Sequence, residues 1–270
     1  MSILHPLKTI SVLGCGWFGF AFAKKMVALG YVVKGSTTTE DKLITVSEAG
    51  IEPYLINFTA EKILADSSFF DADVLLIAIP PKRNSAELTD YPQKIKAILA
   101  SADHQSKNII FISSTSVYGD GNEVVNETSN TNPDTESGNM VLQAEEIVKQ
   151  SSNYTIIRFA GLFGPDRNPG RFFAGKTDVP NGLAPVNLIH QEDAVGLATK
   201  IIEKRAFGRT YNACAPTHPS RMEFYTAAAA ASGLVEPIFI SEKKDWKIIE
   251  SENVPKFLDY QYQVDLQFKT

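Results

Sequence analysis

The sequence predicts an α/β protein: a doubly wound parallel sheet followed by a small mixed α/β lobe at its C-terminal end. Three observations carry this expectation. Short apolar runs alternate with segments of helical periodicity through the first 160 residues. The runs are continuous, without alternating polar residues, which suits strands buried on both faces. The first run ends in VLGCGWFG, a glycine-rich turn that opens a helix. Strand and helix in alternation imply parallel strands joined by right-handed crossovers.

Taken in order, TISVLG (9–14) is a β-branched strand, and FGFAFAKKMVAL (18–29) is a helix that stops at Gly30, a suitable C-cap. YVVKG (31–35), PYLIN (53–57) and DVLLIAI (73–79) read as the next three strands, and SAELTDYPQKIKAILAS (85–101) as a helix containing Pro92. NIIFIS (108–113) is a fifth strand and YTIIRFA (154–160) a sixth. Between them GNMVLQAEEIVKQ (138–150) places Met140, Val141, Ala144, Ile147 and Val148 on one helical stripe.

Beyond residue 160 the rhythm changes. GLFGPDRNPGRFFAGKTDVPNGLAP (161–185) is long and rich in Gly and Pro, and loops of such length tend to be functional. DAVGLATKIIEK (193–204) returns to helix with Asp193 expected at its N-cap, and RTYNAC (209–214) to strand. KIIESENVPKFLDYQYQ gives no clear pattern. The expected division is residues 1–160 with about 186–214 as the sheet domain, and 161–185 with 215–270 as a substrate lobe.

Composition narrows the function classes. The 270 residues are 44% hydrophobic and 21% charged, with a net charge of −5 and no long basic run, so nucleic acid and anionic membranes are poor partners. Cys15 and Cys214 alone give no disulfide framework. No basic N-terminal segment precedes an apolar stretch, and no run reaches the roughly 18 apolar residues of a membrane span. The expectation is a cytoplasmic protein acting on a small molecule, with no metal site.

Gly14, Gly16 and Gly19 form G-x-G-x-x-G directly after the first strand. In that context the first glycine permits the turn, the second lets backbone approach a pyrophosphate, and the third allows helix and strand to pack closely. The helix N-terminus adds a positive dipole end. A dinucleotide site of the Rossmann type follows, with Trp17 and Phe18 packing under the loop or walling it. The second strand ends in YVVKGSTTTEDK, where Lys34, Ser36, Thr37 and Thr38 precede the first acids, Glu40 and Asp41. An NAD site usually carries a carboxylate here for the ribose hydroxyls. Hydroxyls and a lysine suit a 2′-phosphate better, so NADP is preferred and NAD is the alternative.

VLGCGWFG, ADVLLIAIPP, FISSTSVYG, IIRFAGLFGP, VNLIHQEDAVGLA and TYNACAP occur in this order along the chain. Together they resemble the extended short-chain dehydrogenase/reductases, which include sugar-nucleotide epimerases and dehydratases. The resemblance implies that Ala78, Ile79 and Pro80 line the dinucleotide, and that Ser113, Phe159 and Ala160 lie at its nicotinamide end. It implies that Ser114 is the catalytic hydroxyl. Substrate would then meet Ser114, Thr115, Arg167, Arg171 and His190, and the helices near 85–101 and 138–150 would be compatible with a homodimer.

One departure is plain. The family's base is a Tyr with a Lys four residues later, which lowers the phenol pKa. Here those positions hold Ser137 and Val141, and none of the nine tyrosines has a lysine four residues on. The acidic pair that dehydratases carry before Val-Tyr-Gly is replaced by Thr115-Ser116. Two readings therefore stand: an atypical oxidoreductase or epimerase-like enzyme on a small polar substrate such as a sugar nucleotide, and a catalytically inactive NADP-binding sensor.

Overall fold

The computed structural model describes residues 6–58, 63–64, 66–82, 86–102 and 106–267. Seven strands build one sheet: β1 (Thr9–Leu13), β2 (Val32–Thr37), β3 (Glu52–Leu55), β4 (Ala72–Ile77), β5 (Ser106–Ser114), β6 (Tyr154–Phe159) and β7 (Thr210–Ala213). Their spatial order is β3-β2-β1-β4-β5-β6-β7. β1 runs parallel to β2 and β4, β2 to β3, and β4 to β5. Parallel neighbours need long crossovers. The helices are α1 (Trp17–Ala28), α2 (Asp41–Glu48), α3 (Tyr91–Ala102), α4 (Glu136–Val148), α5 (Gln191–Glu203) and α6 (Arg221–Ala231).

The continuous apolar runs have their expected cause. Ile10, Val12, Val74, Leu75, Leu76, Ile77, Ile110 and Phe111 are all inaccessible to solvent, on both faces of their strands. α1 buries Phe18, Gly19, Phe22, Ala23 and Met26 along one stripe. The chain begins in the middle of the sheet, runs outward to β3, and returns to lay β4 on the other side of β1. The strand order thus reverses between β1 and β4, whose C-terminal residues Leu13 and Ile77 are in register. In open α/β sheets ligands bind in the crevice at such a reversal.

Several elements differ from expectation. The helix expected over 85–101 begins at Tyr91, with Pro92 in its first turn, where the missing N–H has no intrahelical partner to lose. Residues 86–88 form a separate 3₁₀ turn, and residue 85 lies outside the described residues. α2 was not anticipated. It buries only Val46, so its apolar period is too sparse to register in sequence. Asp193 is not an N-cap. α5 starts two residues earlier, and the fully buried Asp193 carboxylate accepts from Tyr260 Oη at 2.9 Å, Gln263 N at 2.7 Å and Val264 N at 3.1 Å. In the patternless C-terminal stretch, Lys247–Ile249 pairs in parallel with Glu123–Val125, and a π-helical turn follows at Val254–Leu258.

The chain divides into two compact units. The first is Met1–Ser113, Thr135–Ile157 and Ala198–Thr210; the second is Ser114–Asp134, Arg158–Leu197 and Tyr211–Thr270. The second unit has its own small core of Phe163, Val186, Leu188, Ala215, Phe224 and Leu266. Among the described residues, no helix is long and apolar enough to cross a membrane.

Candidate functional site

The three glycines at the end of β1 are required for three different reasons. Gly14 has φ +100°, a conformation L side chains rarely adopt, and a Cβ there would stand 3.0 Å from Ile79 Cγ2. A Cβ on Gly19 would stand 2.1 Å from the Gly14 carbonyl oxygen, so α1 approaches the loop only because this residue has no side chain. Gly16 is the N-cap of α1, and nothing lies within 4 Å of where its Cβ would be. Among the described residues, none outside its own local chain would meet a Cβ at that position. The loop is held from β2: Gly14 N donates to Ser36 Oγ at 2.8 Å and Cys15 N to Ser36 O at 2.8 Å.

The loop opens on a cavity of about 590 Å³. Its wall includes Gly14, Cys15 and Gly16 from the loop, Ser36, Thr37, Thr38 and Lys42 from the end of β2 and the start of α2, and Ile79 and Pro80 from beyond β4. Lys82, Glu87, Asp90 and Lys94 complete its charged lining. Tyr91 Oη donates to the Ile79 carbonyl at 3.0 Å and fixes the chain after β4. Burial pushes the Cys15 thiol up to about 12, against the opposing pull of its hydrogen bond with Ser36, so it stays protonated near neutral pH.

The structure redistributes the cations of this region. Lys34 does not line the cavity. Its ammonium donates to the carbonyls of Ser68 at 2.6 Å and Asp71 at 2.9 Å. Lys42, in the first turn of the unanticipated α2, lines the cavity instead. Ser36 is 3% exposed, and its hydroxyl is engaged in holding Gly14. Trp17, Phe18 and Ala78 are not part of the lining. Phe18 is buried and stacks on Phe22 with ring centroids 6.0 Å apart, while Ala78 N donates to Leu13 O at 2.8 Å.

At the far end of β5, the buried Ser113 hydroxyl donates to Glu145 Oε1 at 2.5 Å. Glu145 is fully buried on α4, and sequence reasoning missed it. The one available signal was a carboxylate four residues after Val141 on a helix face otherwise apolar. Val141 is 2% exposed on the core face of α4. Ser137 Oγ is buried and has no hydrogen-bond partner among the described residues.

In the second unit, Ser114 Oγ accepts from Ser116 N at 3.1 Å and caps the 3₁₀ turn Thr115–Val117. Thr115, Phe159 and Ala160 are buried. Tyr118 is 1% exposed, and its hydroxyl accepts from Arg158 Nη1 at 2.6 Å while lying 2.8 Å from the Asn126 carbonyl. The Val-Tyr-Gly turn is therefore pinned by a buried polar network. Arg167 and Arg171 are exposed on the long loop. His190 Nδ1 accepts from Glu192 N at 3.3 Å, and its ring lies 5.1 Å from that of Phe163.

Comparison with known proteins adds three findings. Residues 10–127 match the TrkA-N domain, and residues 93–214 match the NAD dependent epimerase/dehydratase family. Protein YeeZ of Escherichia coli K12 is 38% identical over 266 residues, covering 95% of this chain and 96% of that protein. Among solved structures, UDP-N-acetylglucosamine 4-epimerase from Bacillus cereus matches with a TM-score of 0.78 at 18% identity, over 96% of this chain and 95% of that one. UDP-glucuronic acid 4-epimerase from the same organism, in complex with NAD, matches at 0.77 and 19%, over 96% and 93%. At these identities the structural likeness shows the fold.

Proposed function

We propose that this chain, which belongs to the family that includes Protein YeeZ and whose residues 93–214 match the NAD dependent epimerase/dehydratase family, binds a nicotinamide dinucleotide, NADP in preference to NAD, and acts as an oxidoreductase or epimerase-like protein on a small polar substrate. The observation that carries this reading is Gly16: a residue with open space around its missing Cβ, at a helix N-terminus, on the wall of a cavity large enough for half a dinucleotide. When bound, such a cofactor supplies reversible hydride transfer.

In this reading, backbone of Gly14 to Gly16 meets the pyrophosphate, helped by the positive end of α1. The lining contributed by the end of β2 and the start of α2 consists of three hydroxyls and the Lys42 ammonium, with no carboxylate. That chemistry favours a 2′-phosphate over free ribose hydroxyls. Ser113, Phe159 and Ala160 are assigned to the nicotinamide end, and Ser114, Thr115, Arg167, Arg171 and His190 to substrate. The names of structural neighbours make a sugar nucleotide the first class to try.

A second reading, a cofactor-responsive module without chemistry, is favoured by Val141. At the position that the resemblance assigns to the family's lysine stands Val141, 2% exposed on the core face of α4, so no ammonium is supplied there to lower the pKa of a neighbouring base. The experiment that separates the two titrates NADPH and NADH by nicotinamide fluorescence, then follows absorbance with a panel of aldehydes, ketones and sugar nucleotides. Turnover that disappears in Ser114→Ala supports the enzyme. Binding of NADPH with no turnover across the panel supports the module. Failure to bind either dinucleotide overturns both.

A further inference from the structure

Of the charged residues that line the cavity, Lys42, Lys82 and Lys94 are cationic and Glu87 and Asp90 anionic. Glu87 is placed between two of the cations. Lys82 Nζ lies 2.9 Å from its Oε1 and 3.0 Å from its Oε2, and Lys94 Nζ lies 2.5 Å from Oε2. The Lys94 side chain is only 13% exposed, so this cation does not move freely into solvent. Two ammonium groups converging on one anion form the kind of cradle that also holds a phosphate. Here the protein's own carboxylate fills it.

We propose that Glu87 is a specificity-determining residue: it occupies the place of a ligand phosphate between Lys82 and Lys94 and weakens binding of the more highly phosphorylated dinucleotide. The inference rests on the cavity being the dinucleotide site. A carboxylate carries one negative charge, whereas a phosphate monoester carries about two near neutral pH. An additional ligand phosphate must therefore displace Glu87 or bind with Lys42 as the one described cavity cation that Glu87 does not compensate. The pyrophosphate common to NAD and NADP is assigned to the glycine loop, so Glu87 bears mainly on the phosphate that distinguishes them. The two lysines, Lys94 first, hold the Glu87 carboxyl down to about 2, which keeps it anionic throughout the neutral range.

The test measures dissociation constants of NADPH and NADH for the wild type, Glu87→Gln and the double variant Glu87→Gln/Lys94→Gln, at low and high salt. Glu87→Gln should tighten NADPH about fivefold and NADH by less than about twofold, with the gain shrinking as salt rises. The gain should disappear in the double variant. An unchanged NADPH-to-NADH ratio in Glu87→Gln, or weaker NADPH binding, overturns the proposal, and Glu87→Ala must give the same ratio as Glu87→Gln. Gly16→Asp separates the two levels of inference. If it leaves binding intact, the cavity has been wrongly identified as the dinucleotide site, and the Glu87 proposal falls with that reading. If it removes binding while Glu87→Gln leaves the ratio unchanged, the Glu87 proposal alone fails.

Discussion

At the end of β1, Gly16 has nothing within 4 Å of where a Cβ would stand, while one face of α4 packs Val141 into the core at 2% exposure. Both places are ones where the family resemblance leads a reader to expect function. At the first, no described side chain meets the position of the missing Cβ, and Ser36 holds the backbone of Gly14 and Cys15 beside it. The second fills its space with its own apolar side chain. A bound dinucleotide, as proposed above, uses the open position at Gly16, whereas Val141 is accounted for by packing. Ser137, whose buried hydroxyl has no partner among the described residues, is the exception on α4.

The contrast between the two regions yields crossed expectations. Gly16→Asp should reduce affinity for NADPH and NADH by about a hundredfold or more, because a carboxylate then faces the pyrophosphate. The melting temperature should hold within about 2 °C, since the new side chain meets open space and Asp is a favourable N-cap. Equal binding by the variant, in a fluorescence titration, would break the reading of the loop. Val141→Lys should do the reverse. It should cost about 3 kcal/mol of stability, a fall of roughly 6–12 °C in melting temperature, by forcing a long cationic side chain into a site packed around a valine. Dinucleotide affinity of the folded protein should be unchanged.

Smaller effects sharpen the picture within the cavity. Lys42→Gln should weaken NADPH about tenfold and leave NADH within about twofold, as the loss of one cation facing one additional phosphate requires. Equal losses for both dinucleotides would move the cation's role to the pyrophosphate. Ser36→Ala removes the acceptor for Gly14 N and should cost about 1 kcal/mol, near 3 °C in a thermal melt. A change too small to measure would mean that the loop is held by the Cys15 N to Ser36 O bond alone.

Much of the fold was legible because its signals are local. The unbroken apolar runs, Gly30 after α1, and the glycine spacing each depend on residues within one turn or one strand of each other. The start of α3 was misplaced because Pro92 fits a first turn as well as an interruption. α2 escaped because a short helix that buries only Val46 has almost no period to read. Asp193 has the composition of an N-cap, but its actual partners, Tyr260, Gln263 and Val264, lie 67 to 71 residues away.

The alternation of strand and helix and the position of the glycine turn after β1 could be read from the chain alone. These are properties of backbone conformation and local periodicity, encoded by near neighbours. The packing of distant segments sets the rest: Lys42 and not Lys34 lines the cavity, Ser113 meets the buried Glu145, and Gly16 faces open space. Such outcomes depend on which distant segments are brought together: the Lys34 ammonium goes to carbonyls 34 and 37 residues away, and Ser113 reaches across 32. Hydrogen bonds and charges are settled by distance in space, and distance in space is what the packing of α1, α2 and α4 against the sheet creates.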